Sequence, residues 1–542
     1  MAVITPAATP AGAVAAERTH TEALIAALRN PACYPHPAEN VQVLETHISY
    51  VLLAGDYAYK IKKPVRFGFV DFTSLAVRRF YCGEELRLNR RTAPQLYFSV
   101  VPITGELPNV HVGGGGPVVE YAVRMRRFDQ SDLLGRRALE RFVQPQQIDA
   151  LAESVARFHS EIPRAEEQSS FGEPESVVTS MLENFSDIAE IDRSPPVREA
   201  LHELHEWART QHQLLYSLFA RRKAEGFVRE CHGDLHLANI VLVDGHPTLF
   251  DALEFNERLR WSDVTSDVAF TTMDLVHHDL ARLAARFLNR YLEETGDYGA
   301  LPLLRYYMVY RALVRAKVAG IRAGQQRAGS SLAGPHSGCL AYLELGRRLA
   351  HRGAPLLVVM QGLSCSGKTT VSQRLMEALQ AIRLRSDVER KRMAGVGAHD
   401  SLAAAPAQGA YAPGESARVY RHLARLARES LEAGYPTIVD AAFLDREQRD
   451  AFRDVARDAG AAFEILRCDS AADVLRARAQ RRKREGHDAS DADARVLEWQ
   501  LAHAEPLAPD ERLHSVVVDT THPSEWQGAV ENLARRFRVV AP

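Results

Sequence analysis

The segment GLSCSGKT, Gly362 to Thr369, constrains the fold more tightly than any other feature of this sequence. Gly362, Gly367, Lys368 and Thr369 fit the spacing G-x-x-x-x-G-K-[ST], with an apolar run, LLVVMQ, before the loop and a helical run, TVSQRLMEALQ, after it. Glycines let the backbone wrap so that successive N–H groups and a helix N-terminus face negative charge. In such a loop Lys368 reaches the β- and γ-oxygens of a nucleotide, and the Thr369 hydroxyl can ligate Mg²⁺. Ser364, Ser366 and Thr370 lie in the same wrap and join the nucleotide-contact candidates. ATP is the expected cofactor, with Mg²⁺.

After Pro355 strand-like runs (LLVVMQG, AIRLRSD, PTIVDAAF, AFEILRCD, SVVVDTT) alternate with helical ones, which predicts a parallel α/β sheet over residues 350–542. Parallel strands bring their C-terminal ends together. Asp387, ending AIRLRSD, is thereby a candidate catalytic base or acceptor-orienting group, with Arg390 beside it; alternatively SDVERKR is only a capped helix start. Asp440, ending PTIVD, is placed to hold a magnesium-bound water, or else to cap the next segment. Arg478 and Arg482, four apart in RARAQRRKREG, share a helix face that could close over the γ-phosphate, or form a solvated charge run. On GLSCSGKT, RLRSDVERKR, TIVDAAF and the Arg-rich helix, this half resembles the P-loop small-molecule kinases that group with gluconate kinase, the zeta-toxin-like proteins and the kinase domain of polynucleotide kinase.

The other half carries a second set of phosphate-handling residues. CHGDLHLANIVL places His232, Asp234 and Asn239 at H-x-D-x-x-x-x-N spacing, and LFDALEF presents Asp251 twelve residues on. In a kinase-like lobe Asp234 accepts or orients the acceptor proton, while Asn239 and Asp251 hold Mg²⁺ on the ATP phosphates. Upstream, YAYKIKKP offers Lys60 on a strand, and CGEELRLNRR offers Glu85, or its neighbour Glu84, as that lysine's helical partner. Short β-rich runs from 41 to about 128 surround one helical stretch, and residues 147–347 are mostly helical apart from a compact polar region at 231–255.

HGDLHLAN followed by LFDALEF resembles the aminoglycoside phosphotransferase family. The resemblance implies a bilobal, protein-kinase-like α+β fold over residues 21–345, with Asp234 as catalytic base and Asn239 and Asp251 as magnesium ligands. It also implies a packing role for His159 and a structural one for the carboxylates Asp263 and Asp267. A single Gly55 stands where protein kinases show a G-x-G-x-x-G loop, so the nucleotide grip there is differently built. The pairing of the two halves resembles bacterial proteins described as bifunctional, aminoglycoside-phosphotransferase-like and ATP-binding.

Length agrees with two domains, since 542 residues exceed what one core supports. Residues 1–20 read as a loose Ala/Pro/Thr tail, and the Gly/Ser-rich stretch 322–338 as a loop or boundary. Lys plus Arg (67) nearly balances Asp plus Glu (69), which leaves no global field for a polyanion. No apolar run is long enough to span a bilayer, and six scattered cysteines without a C-x-x-C pair fit a reducing cytoplasm. The expected activity is transfer of the γ-phosphate of ATP to hydroxyls of small molecules such as sugars or aminoglycoside-like compounds. Two alternatives stand beside it: one domain senses nucleotide and regulates the other, or the C-terminal half phosphorylates nucleic-acid ends.

Overall fold

The computed structural model describes residues 11–67, 70–327, 336–397, 413–485 and 494–537. The chain divides into two compact units that interleave along the sequence: residues 1–194, 212–271 and 314–339 in the first, and 195–211, 272–313 and 340–542 in the second.

The sheet of the first unit begins with antiparallel strands β1 (Gln42–Glu45), β2 (Ser49–Ala54) and β3 (Tyr57–Lys62), followed by a two-residue ladder of β4 (Arg66–Phe67) and β5 (Val70–Asp71). Strands β6 (Tyr97–Glu106), β7 (Asn109–Val112) and β8 (Val118–Arg126) complete a six-stranded sheet ordered β1-β2-β3-β8-β6-β7. Strand β3 is internal, with Lys60 opposite Val51 on one side and Val123 on the other. Its hairpin to β2 turns on Gly55 at φ +56°, where a Cβ would stand 2.5 Å from the Pro37 carbonyl oxygen.

The helix Leu75–Asn89, capped by Ser74, buries Cys82 against Ala58, Val123 and Met125, which sets Glu85 against β3. The expected polar region is a short β9 (Val228–Glu230), a hairpin of β10 (Ile240–Val243) and β11 (His246–Leu249), and β12 (Trp261–Asp263) returning to pair with β9. Residues 11–20, expected as tail, instead begin the helix Ala11–Ala27; AGAVAAER is rich in the best helix former, and Glu17 pairs with the buried Arg78. Of the stretch expected as a loop at 322–338, residues 322–327 end the helix Leu301–Arg327, 336–338 open the helix His336–Ala350, and 328–335 lie outside the described residues.

In the second unit five parallel strands, β13 (Leu356–Gln361), β14 (Ile382–Arg385), β15 (Thr437–Asp440), β16 (Ala462–Asp469) and β17 (Ser515–Asp519), are ordered β14-β15-β13-β16-β17. Strand β13 is buried along its whole length, as a central parallel strand covered by helices on both faces requires. The helix Ala281–Thr295 belongs to this unit: Ala285 enters its core beside Leu379 and Ala381, and Arg286 pairs with Glu377. The compact units thus depart from a linear split at 345–350.

Candidate active sites

In the first unit Lys60 Nζ lies 2.8 Å from Glu85 Oε1 and 2.5 Å from Asp251 Oδ1. The lysine partner is Glu85; Glu84 turns instead to Arg87. Asn239 Nδ2 donates to both the Asp234 carbonyl and Asp234 Oδ2 at 2.9 Å, which turns its own carbonyl oxygen elsewhere. His236 Nε2 sits 3.4 Å from Asp234 Oδ2. Burial opposes ionisation of Asp234, yet His236, Arg315 and His232 hold its carboxyl well below the usual carboxylate range.

The backbone that carries these groups is fixed by hydrogen bonds. Successive amides of residues 250–253 donate to the Asn239 carbonyl, Tyr97 Oη, Asn89 Oδ1 and the His232 carbonyl, so Asp251 is held although its φ is +61°. Asp267 accepts from the amides of His232 and Gly233 at 2.8 and 3.0 Å, and His159 Nε2 stands 3.5 Å from it. His159, Cys231 and Asp267 converge closely enough to suggest a metal site. The donor set does not fit one: both Asp267 oxygens already accept backbone amides, the Cys231 thiol donates to the Ser262 carbonyl, and burial pushes that thiol far up. The trio anchors the loop that carries His232 and Asp234.

Two residues that the motif reading missed complete this site. Lys62, two positions after Lys60 on β3, lies 2.7 Å from Glu85 Oε2 and also pairs with Glu254, three positions after Asp251. Glu85 thus serves two ammonium groups, which hold its carboxyl down at about 2 against the opposing effect of burial. Asn239 and Asp251 offer only oxygen ligands, the donor type a hard cation such as Mg²⁺ takes, and the Asp251 side chain is 37% exposed.

In the second unit the loop after β13 needs its glycines: a Cβ on Gly362 would stand 2.6 Å from the Cys468 carbonyl oxygen, and Gly367 takes φ +85° at 3.2 Å from Thr520. Lys368 Nζ donates to the carbonyls of Gly362 and Leu363, both at 2.8 Å. Thr369 and Thr370 are exposed on the first turn of the helix Lys368–Leu379, Ser364 is half-buried, and Ser366 is buried with its carbonyl accepting from Thr520 Oγ1. Asp440 is buried one strand over, opposite Met360, and accepts from Ser372 Oγ at 2.8 Å. Asp387 comes two residues after Arg385, the partner of Asp440 across β14 and β15, so the two carboxylates stand at the same end of the sheet.

Arg478 is placed differently from the lid arrangement expected of it. Its guanidinium is spent on the Cys365 carbonyl, Ser470 Oγ and the Oγ1 and carbonyl of Thr520, so it clamps the loop to the turn after β17. Arg482 lies on the same helix, Ala472–Glu485, but its side chain falls outside the described residues. Gln500, which no motif marks, is buried and accepts the Ser364 amide at 2.7 Å. Leu363 and Cys365 pack with Leu475, Leu497 and Leu501, which ties two helices to the phosphate loop.

Residues 83–304 match the model of the phosphotransferase enzyme family, and residues 357–507 match that of an AAA domain. Uncharacterized proteins of Mycobacterium tuberculosis and Mycobacterium bovis are 29% identical over 493 residues, covering 89% of this chain and 96% of theirs. Among solved structures, a sugar kinase from Janibacter is 23% identical over 34% of this chain and 93% of its own, with a TM-score of 0.25. A choline/ethanolamine kinase family protein from Mesorhizobium loti is 12% identical over 61% of this chain and 94% of its own, with a TM-score of 0.37. The chain therefore joins an N-terminal kinase-like domain similar to the phosphotransferase enzyme family to a C-terminal P-loop α/β domain similar to an AAA domain.

Proposed function

We propose that the protein is an ATP- and Mg²⁺-dependent kinase with two nucleotide sites, each transferring the γ-phosphoryl group to a hydroxyl of a small molecule, a sugar or an aminoglycoside-like compound. The observation that carries this reading is the contact of Lys60 with both Glu85 and Asp251, set beside the Asp234–Asn239 pair. In the first site Lys60 binds the nucleotide phosphates and Glu85 keeps that ammonium in place. Asp234 orients the acceptor hydroxyl, whose oxygen bonds to the γ-phosphorus as the bond to the ADP oxygen breaks; the hydroxyl proton passes to the Asp234 carboxylate. Asn239 and Asp251 would hold magnesium, which when bound would neutralise charge on the phosphate oxygens.

In the second site Lys368 and the loop amides bind phosphate, Thr369 and Asp440 would hold the metal, and Asp387 serves the acceptor. Among the described residues no helix is long and apolar enough to cross a membrane. The test is ATP consumption with Mg²⁺ across sugars, polyols, aminoglycosides and oligonucleotide ends, for the native chain, Asp234→Asn and Lys368→Ala. An acceptor-stimulated activity removed by each substitution separately supports two kinases. Turnover that survives one substitution while that site still binds ATP reduces that domain to a nucleotide sensor.

A further inference from the structure

Two lysines on one face of β3 hold the segment from Asp251 to Glu254, and they differ in exposure in a way that separates their tasks. Lys60 and Asp251, 2.5 Å apart, have side chains 11% and 37% exposed; Lys62 and Glu254 are 1% and 4% exposed. A strand places residues i and i+2 on the same side, so both ammonium groups reach Glu85, one on each carboxylate oxygen, at 2.8 and 2.7 Å. Counting charges, Lys62, Glu85 and Glu254 alone sum to −1, and Lys60 brings the buried set to neutrality.

That balance has a consequence for the reaction. Were Lys60 to take up nucleotide phosphate and Asp251 a metal ion, the contact between them would loosen. The contact between them is the only one of the four lysine–carboxylate pairs that both partners can leave toward solvent, because Glu85, Lys62 and Glu254 are enclosed. The amides of residues 250–253 are held by Asn239, Tyr97, Asn89 and His232, none of them on β3, so without a second tie the release of Lys60 would leave Asp251 fixed to its loop but not registered on the strand.

We propose that Lys62 and Glu254 form a permanent positioning pair, which keeps the Asp251 segment registered on β3 while Lys60 and Asp251 exchange each other for phosphate and metal. Lys62 touches neither ligand; it acts through Glu85 and Glu254. The inference rests on the reading of this site as a metal-assisted phosphotransferase, and it assigns a role to a pair outside the Lys60, Glu85, Asp234, Asn239 and Asp251 set.

The test uses the full chain with Lys368→Ala, so that ATP binding by calorimetry reports the first site, measured with magnesium and with EDTA. Lys62→Met is expected to lower affinity by about 10- to 100-fold with magnesium, the range typical of losing a group that orients a metal ligand, and to leave affinity in EDTA unchanged. Lys60→Met should lower both, and Lys62→Arg should restore the magnesium-linked part. Glu254→Gln, which changes charge but not shape, should behave as Lys62→Met does and decides the matter if that variant does not fold. Parent-like magnesium-linked affinity in Glu254→Gln, or a Lys62→Met loss equal in magnesium and in EDTA, overturns the proposal. Asp251→Asn that leaves magnesium-linked affinity intact overturns instead the reading of the site on which the proposal stands.

Discussion

The side-chain amide of Asn289 bridges the backbone of the edge strand β14: its Nδ2 donates to the Ala381 carbonyl at 2.8 Å and its Oδ1 accepts from the Arg383 amide at 2.7 Å. An edge strand presents unpaired N–H and C=O groups. Here a helix from the middle of the chain satisfies two of them, and Glu293 on the same helix pairs with Arg383 at 2.7 Å and lies 3.4 Å from Arg385. The strand so held leads directly into Asp387.

Asn289→Ala leaves the buried Arg383 amide and Ala381 carbonyl without these partners. Each orphaned group costs about 1–3 kcal/mol. Urea unfolding should therefore show a loss of that order, with faster hydrogen exchange at the Arg383 amide. Unchanged exchange there would mean that the bridge does not hold the strand.

Arg449 and Glu511 are both fully buried and paired at 2.6 Å, and Arg449 Nη1 also donates to the carbonyls of Phe443 and Leu444, just past Asp440. Removing one partner of a buried ion pair strands the other charge, at a cost of about 3–5 kcal/mol. Arg449→Met alone should lose stability of that size. The double variant Arg449→Met with Glu511→Leu should recover much of it, which thermal unfolding of the three proteins resolves.

The residues of both sites differ in how far the sequence reveals them. Lys60, Glu85, Asp234, Asn239 and Asp251 are legible because kinase chemistry fixes residue type, order and element together. Lys62 sits in the run KIKK, where a lysine reads as solvated; only the two-residue period of a strand puts it on the face of Lys60. Asn289 is hidden for another reason. Helical periodicity shows that the helix Ala281–Thr295 has a buried face but not which sheet buries it, and a side chain that completes a strand ladder has no local signature. Spacing placed Arg478 on a helix near the phosphate loop, yet could not tell whether its donors face phosphate or the Thr520 turn.

In the proposed mechanism the ionisation of Asp234 sets the acid side of the first site's pH profile. Its pKa is depressed, so the carboxylate stays ionised as pH falls through the range in which an ordinary aspartate titrates. A step that needs the Asp234 anion should then keep its kcat between pH 8 and about 5, since an unperturbed carboxylate titrates near 4. Asp234→Asn should remove turnover at every pH while leaving ATP binding in place. A kcat that falls with an apparent pKa near 6 would assign the proton acceptor to another group.

Gln500 supplies the last prediction. Its Oε1 accepts the Ser364 amide, while Leu497 and Leu501 on the same helix pack with Leu363, so the helix holds the phosphate loop by one polar and several apolar contacts. A loop whose amides must converge on phosphate gains affinity from being held in shape beforehand. Gln500→Ala removes one neutral hydrogen bond, worth about 0.5–1.5 kcal/mol, so ATP affinity at the second site should fall roughly two- to tenfold. Calorimetry on the full chain with Asp251→Asn in the first site measures it. The opposite result, tighter binding, would mean that Gln500 competes with phosphate for the Ser364 amide and that the helix Ala494–His503 must move for the nucleotide to seat.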